Sequence, residues 1–186
     1  VEEPPEYAYF IFTAKHKDVF LPTILSRVTG IPVLPCEKHH TEQALRELKI
    51  PDEGIAFFPG NIGKCIQFVK DKKFRESVML ACEITDALRH NDEYTVLKCF
   101  NKVTGDRFAF KFVLGLLRDI LRDAAVGCAS NCISCCPEGA LALGKHIPPA
   151  VCADIYTKIE KNLKYIDANV NMKLLCSGLG FAQTRT

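Results

Sequence analysis

From Phe74 onward the apolar residues recur at helical spacing, and this periodicity limits what the chain can fold into more than any motif does. Phe74, Val78, Ala81, Thr85 and Leu88 mark one face of a helix that ends near His90-Asn91. Asp92 can cap a second helix, with Leu97, Phe100 and Val103 turned inward and an end at Thr104-Gly105-Asp106. Phe108, Phe112, Leu116 and Ile120 mark a third, apolar almost all round, which predicts a central buried helix. After an irregular Cys-rich stretch, Val151, Ile155, Ile159, Leu163 and Ile166 form a clean stripe on a fourth. The last turns follow Asn169-Val170-Asn171 and begin at Lys173-Leu174-Leu175.

The segment before Phe74 is cut into shorter pieces. Residues 30–38 form a connector containing Pro32 and Pro35. Thr41 can cap a helix running to about Lys49, with Ala44, Leu45 and Leu48 as its stripe. Pro51 starts a short helix carrying Ile55, Phe57 and Phe58, stopped by Pro59-Gly60. Asn61 opens another, with Ile62, Ile66 and Val69 about one turn apart. The charged break at residues 70–73 is the next boundary. These three short helices predict a small lid-like bundle.

The first residues read differently. Glu2-Glu3-Pro4-Pro5 precedes Tyr-Ala-Tyr-Phe-Ile-Phe-Thr at residues 7–13, a run of β-favouring aromatics too short for a free-standing helix. It reads as a buried strand. Pro22 suits a first helical turn, where its missing N–H costs nothing. Phe20, Leu21, Ile24, Leu25 and Val28 follow at helical spacing, leaving Ser26-Arg27 at the tip. A strand feeding a short helix with an arginine at its end offers a cation to something outside the chain.

That order of residues resembles the end of the AAA+ ATPase core of clamp-loader subunits, most of all the delta-prime subunits of bacterial DNA polymerase III. In that family a Ser-Arg-Cys motif carries an arginine that acts on ATP bound by the neighbouring subunit; here Val28 stands in place of the Cys. The resemblance implies that Arg27 is an arginine finger working in trans, with Ser26 as part of its motif. Its guanidinium would stabilise charge developing on the γ-phosphate, which a lysine cannot reproduce. The sensor-1 position falls at Thr13 or Ala14. The implied architecture is mainly α. Residues 1–29 are the end of an α/β AAA+ core, residues 30–72 a three-helix lid, and residues 73–186 an all-α helical collar through which such subunits oligomerise. The Asn-Val-Asn segment near the end also resembles the delta-prime carboxyl terminus. The implied partners are the gamma/tau and delta subunits, the sliding clamp, and primer-template DNA through the assembled complex.

Two departures define the expected role. Where ATP-hydrolysing relatives carry a sensor-2 Gly-x-x-Arg motif, this chain reads Gly60-Asn61-Ile62-Gly63, and Lys64 points about 100° away around the helix. No Gly-x-x-x-x-Gly-Lys-Ser/Thr loop is present. An opening of Glu2-Glu3-Pro4-Pro5 and then a strand looks like the middle of a domain. The sequence is therefore read as the C-terminal fragment of a longer subunit of a DNA polymerase holoenzyme, with no ATPase site and no cofactor in this fragment.

The ten cysteines supply the alternative. Cys128, Cys132 and Cys135 have the C-x3-C-x2-C spacing of an iron–sulfur triad, with Cys136 as a fourth candidate, so an iron–sulfur or zinc protein could be built over residues 128–136. Adjacent residues such as Cys135 and Cys136 rarely ligate one zinc together, and nothing here supplies the parallel strands of a β/α barrel. Reduced thiols in an inter-helix loop are the plainer reading, with the other cysteines on apolar faces, as in a reducing cytoplasm. The pair His39-His40 lies in a polar connector, where histidines are usually solvated. Lys158, Lys161 and Lys164 form a basic stripe opposite the Ile155 face, and Lys70, Lys72 and Lys73 cluster at the boundary. Either set could meet DNA phosphate, although a solvated face is the commoner use of such lysines.

Composition narrows the remaining classes. A length of 186 residues suits one or two compact units. A hydrophobic fraction of 48% with 25% charged residues is enough to bury a core. A formal net charge of +2 is too small for strong nonspecific nucleic-acid binding, so any DNA contact must come from local patches. No apolar run approaches the roughly 18 residues that span a bilayer, and no signal peptide is apparent.

Overall fold

The computed structural model describes residues 5–14, 17–34, 36–127, 132–167, 170, 172 and 174–175. Among them the regular elements are α-helices and two 3-10 turns; no strand occurs. The chain divides into two compact units, Val1–Pro35 and Cys36–Thr186.

In the first unit, Tyr7 lies in a turn and residues 8–13 join no ladder, and most of their apolar side chains face solvent: Tyr9 and Ile11 are each 91% exposed. The buried strand expected from this run is thus not formed. A strand is stable only when a neighbour takes its N–H and C=O groups, and no described residue does so here. Phe12 retains local ring contacts, stacked on Phe10 at 6.4 Å and edge-on to Phe20 at 5.7 Å. A 3-10 turn at Lys17–Val19 leads to α1 (Pro22–Leu25), a single turn with proline at its start.

The second unit is all-helical. Its order is α2 (Lys38–Glu47), a 3-10 turn (Asp52–Ala56), α3 (Ile62–Lys70), α4 (Lys72–Arg89), α5 (Glu93–Asn101), α6 (Arg107–Val126), α7 (Pro137–His146) and α8 (Pro149–Asp167). Side-chain caps set most of the starts. Asn61, Asp71, Asp92 and Asp106 each accept a backbone N–H from the first turn of the following helix, satisfying donors with no partner inside it. Gly127, in the left-handed region at φ 66°, closes α6, where a residue with a Cβ would be strained.

α6 is the central helix, packed against α4, α7 and α8. Phe110, Val113, Leu114, Leu117, Ile120 and Leu121 on it are essentially inaccessible. Phe108 escapes the expected all-round burial and is 82% exposed, on the side of α6 away from the buried Phe110. The α4 face lies as its periodicity indicates: Phe74, Val78, Ala81, Thr85 and Leu88 are all buried. On α5 the buried face is Val96, Cys99 and Phe100, and Leu97 turns outward. α2 begins three residues before the expected cap. Thr41 is buried within its first turn, with its hydroxyl donating to the Glu37 carbonyl at 3.4 Å and lying 3.1 Å from the Cys36 thiol. Aromatic rings link the short helices to the long ones, Phe58 packing on Phe74 at 5.7 Å and Phe74 on Phe112 at 5.3 Å.

α7 falls in the stretch expected to be irregular. Pro137 at its first position, Glu138 in the first turn, and Lys145 and His146 in the last all suit a helix of this polarity. It lies so close to α6 that a Cβ on Gly144 would come 2.5 Å from the Ala124 carbonyl oxygen.

Candidate functional site

The Ser-Arg pair sits at the end of α1 and is held by that turn's own carbonyls. Ser26 keeps helical backbone angles, and the Arg27 N–H donates to the Ile24 carbonyl at 3.0 Å. The Ser26 hydroxyl donates to the Thr23 carbonyl at 3.1 Å, and Arg27 Nη1 donates to the same oxygen at 2.8 Å. Two side chains thus share an acceptor that a one-turn helix leaves without an internal partner. Both residues are exposed, and Val28 is half-buried. Thr13 and Ala14 are exposed and lie on no strand.

At Gly60-Asn61-Ile62-Gly63, the Asn61 Oδ1 accepts from the Lys64 N–H at 2.9 Å and caps α3. A Cβ on Gly63 would meet only that Asn61 oxygen, at 3.6 Å, so packing does not require glycine there. Lys64 places its ammonium 5.2 Å from the centre of the Phe58 ring, a cation–π contact.

The lysine stripes are interleaved with acids. Lys158 pairs with Asp154 at 2.8 Å, and Lys72 lies 3.7 Å from Glu76. Glu160 is taken by Arg118 at 3.2 Å, next to Lys161, while Lys161, Lys164, Lys70 and Lys73 are exposed. Lys73 borders a groove of about 850 Å³ floored by Phe57, Phe68, Leu80 and Val103, where Lys102 and Glu83 pair at 3.1 Å. The Lys102 ammonium holds the Glu83 carboxyl below its usual range, and Glu83 raises Lys102 in return.

Of the candidate cysteine ligands, Cys128 lies outside the described residues. Cys132 is partly exposed, Cys135 is buried and Cys136 is half-buried at the start of α7. Cys82 of α4, which the spacing motif does not include, lies beside Cys135 and Cys136. The Cys135 side chain pushes the Cys82 thiol up to about 12. Cys136 is raised as well, by its neighbour Cys82 and then by burial. Burial pushes up Cys65 and Cys152, and burial with Glu83 lifts Cys99 to about 11. These thiols are protonated at neutral pH, and the thiolate is the nucleophile, so none is set up for covalent catalysis.

Two further groups escape pattern reading. Asp123, fully buried on α6, accepts N–H bonds from Ile133 at 2.9 Å and Ser134 at 2.8 Å and pairs with Arg122 at 3.0 Å. It pins the cysteine-bearing segment to the central helix. Glu37 joins His39 and His40, which lie in the first turn of α2 and not in a connector. No local signal marks Asp123; Glu37 could have been found as a carboxylate two residues before a histidine pair.

In comparisons with known proteins, no family model and no curated sequence matches this chain.

Proposed function

We propose that the chain is the lid and collar portion, with the tail of the AAA+ core, of a delta-prime-type clamp-loader subunit. Its work is mechanical and regulatory. It assembles with gamma/tau and delta subunits, presents Arg27 to a neighbour's ATP, and helps place the sliding clamp on primer-template DNA. The observation that carries this reading is the exposed Ser26-Arg27 pair at the tip of a proline-started turn, behind an acidic Pro-Pro segment and an aromatic run. The bare aromatic residues 7–13 favour it further. Such a run buries its side chains once flanking strands of a core are supplied. The all-helical second unit suits a lid followed by a collar, and Gly63 in place of an arginine suits a subunit without its own turnover.

Arg27→Ala in the full-length protein is expected to leave assembly intact and to lower DNA-stimulated ATP hydrolysis by about 10³-fold or more at the site it serves, the range for arginine fingers. Arg27→Lys should not rescue, since an ammonium lacks the planar fork. Unchanged turnover in Arg27→Ala would remove this role.

A second reading is an iron–sulfur or zinc protein built over residues 128–136. Brown colour and stoichiometric iron, or zinc resistant to chelators, in the purified chain would support it over the first.

A further inference from the structure

Two imidazoles and a carboxylate meet at the start of α2. Glu37 is the residue that caps this helix, yet its side chain makes no capping hydrogen bond. The carboxylate turns instead to His39, with Oε2 3.2 Å from Nδ1. Adjacent residues rarely ligate one ion, because neighbouring side chains on a helix diverge by about 100°. Here, however, the His39 and His40 rings are brought together, with centroids 3.8 Å apart and a tilt of 39°. One donor atom from each of the three residues lies within 4.8 Å of the other two. Ligands held about 2.0–2.2 Å from a zinc-sized ion sit some 3–4 Å from each other. Small side-chain rotations would close the difference.

We infer that Glu37, His39 and His40 form a binding site for one divalent late-transition-metal ion, of the zinc class. Two neutral imidazole nitrogens and one carboxylate oxygen favour Zn²⁺, Co²⁺ or Ni²⁺ over Mg²⁺ or Ca²⁺, which prefer all-oxygen sets. All three side chains face solvent, so water completes the coordination. The positive end of the α2 dipole works against a cation here, which makes the Glu37 charge essential to affinity. Bound metal would fix residue 37 to the first helical turn, next to the Cys36 N–H bond to the Gly60 carbonyl at 3.2 Å. The site is independent of Arg27 and does not rest on the clamp-loader reading.

Cobalt(II) titration of the full chain under reducing conditions tests the site, because cobalt reports its ligands in its spectrum. Expected are one equivalent bound, weak visible d–d bands without an intense near-ultraviolet sulfur band, and displacement by Zn²⁺. His39→Ala with His40→Ala should abolish this binding. Glu37→Gln should weaken it at least about tenfold, the loss that even an outer hydrogen-bond partner of a ligand costs. Cys82→Ser with Cys136→Ser should leave it unchanged. The inference is overturned by no binding, by binding that survives the histidine pair's removal, or by a sulfur-to-cobalt band that vanishes with the cysteines. All three ligand side chains are exposed, so the variants are expected to fold, and circular dichroism verifies this.

Discussion

Asp123 shows how much can hang on one side chain. Its carboxylate is completely buried and satisfies two backbone N–H groups of the segment before α7 as well as the Arg122 guanidinium. Removing it leaves buried donors without acceptors, so Asp123→Ala is expected to cost about 3 kcal/mol, read as a lowered urea midpoint. A loss under about 1 kcal/mol would mean that water replaces the carboxylate there. The clustered thiols predict an alkaline effect. Cys82 is held at about 12 and Cys136 is also raised, against an ordinary 9.0. Between those values the unfolded chain releases protons that the folded chain keeps. Stability is therefore full below about pH 9 and falls as pH rises, by up to about 1.4 kcal/mol per pH unit for each such thiol. Cys82→Ser should flatten the slope of unfolding free energy against pH between 9 and 11. An unchanged slope would show that these thiols do not carry the effect.

At the level of helices, two glycines make opposite demands. Gly115 on α6 has nothing within 4 Å of where a Cβ would sit, whereas at Gly144 on α7 the Ala124 backbone stands in the way. Gly115→Ala is expected to stabilise by about 0.5–1 kcal/mol through helix propensity. Gly144→Ala should destabilise by about 1–3 kcal/mol as α6 and α7 are pushed apart. Thermal melts of the two variants should shift in opposite directions. Helix positions were largely legible because stripe and cap agreed, as at Asn61 and Asp92, while at Phe74–Val78–Ala81 only the stripe was legible and the cap Asp71 lay in what reads as a charged break. Where they erred, the cause is tertiary. Leu97 and Phe108 are apolar at helical spacing, but each lies on the outward side of its helix, Phe108 in the same turn whose Phe110 is fully buried. Thr41 looked like a cap and is instead a buried side chain bonding backward along α2. α7 was hidden by the cysteine-rich stretch before it, although Pro137 and Glu138 signal a helix start. The lysines and the cysteine spacing could be seen, but their partners Asp154, Glu76 and Cys82 come from packing and turn-to-turn proximity.

Across the whole molecule, order is unevenly distributed. Native-state hydrogen exchange is expected to be slowest in α6, whose amides open only with the helical unit, and near the unprotected rate at residues 7–13, which have no ladder. Protection of residues 7–13 in the isolated chain would show that a strand partner exists after all; protection appearing only on mixing with AAA+ subunits would favour the proposed assembly. The helical unit was readable from periodicity because each helix carries its buried face in its own residues. The strand was not, because pairing depends on residues elsewhere. Tyr7, Tyr9, Ile11 and Val33 left in water have a practical consequence for anyone handling this polypeptide. Concentrated by itself, it will tend to clump through these greasy residues, and its shelf life will improve when a companion sheathes them.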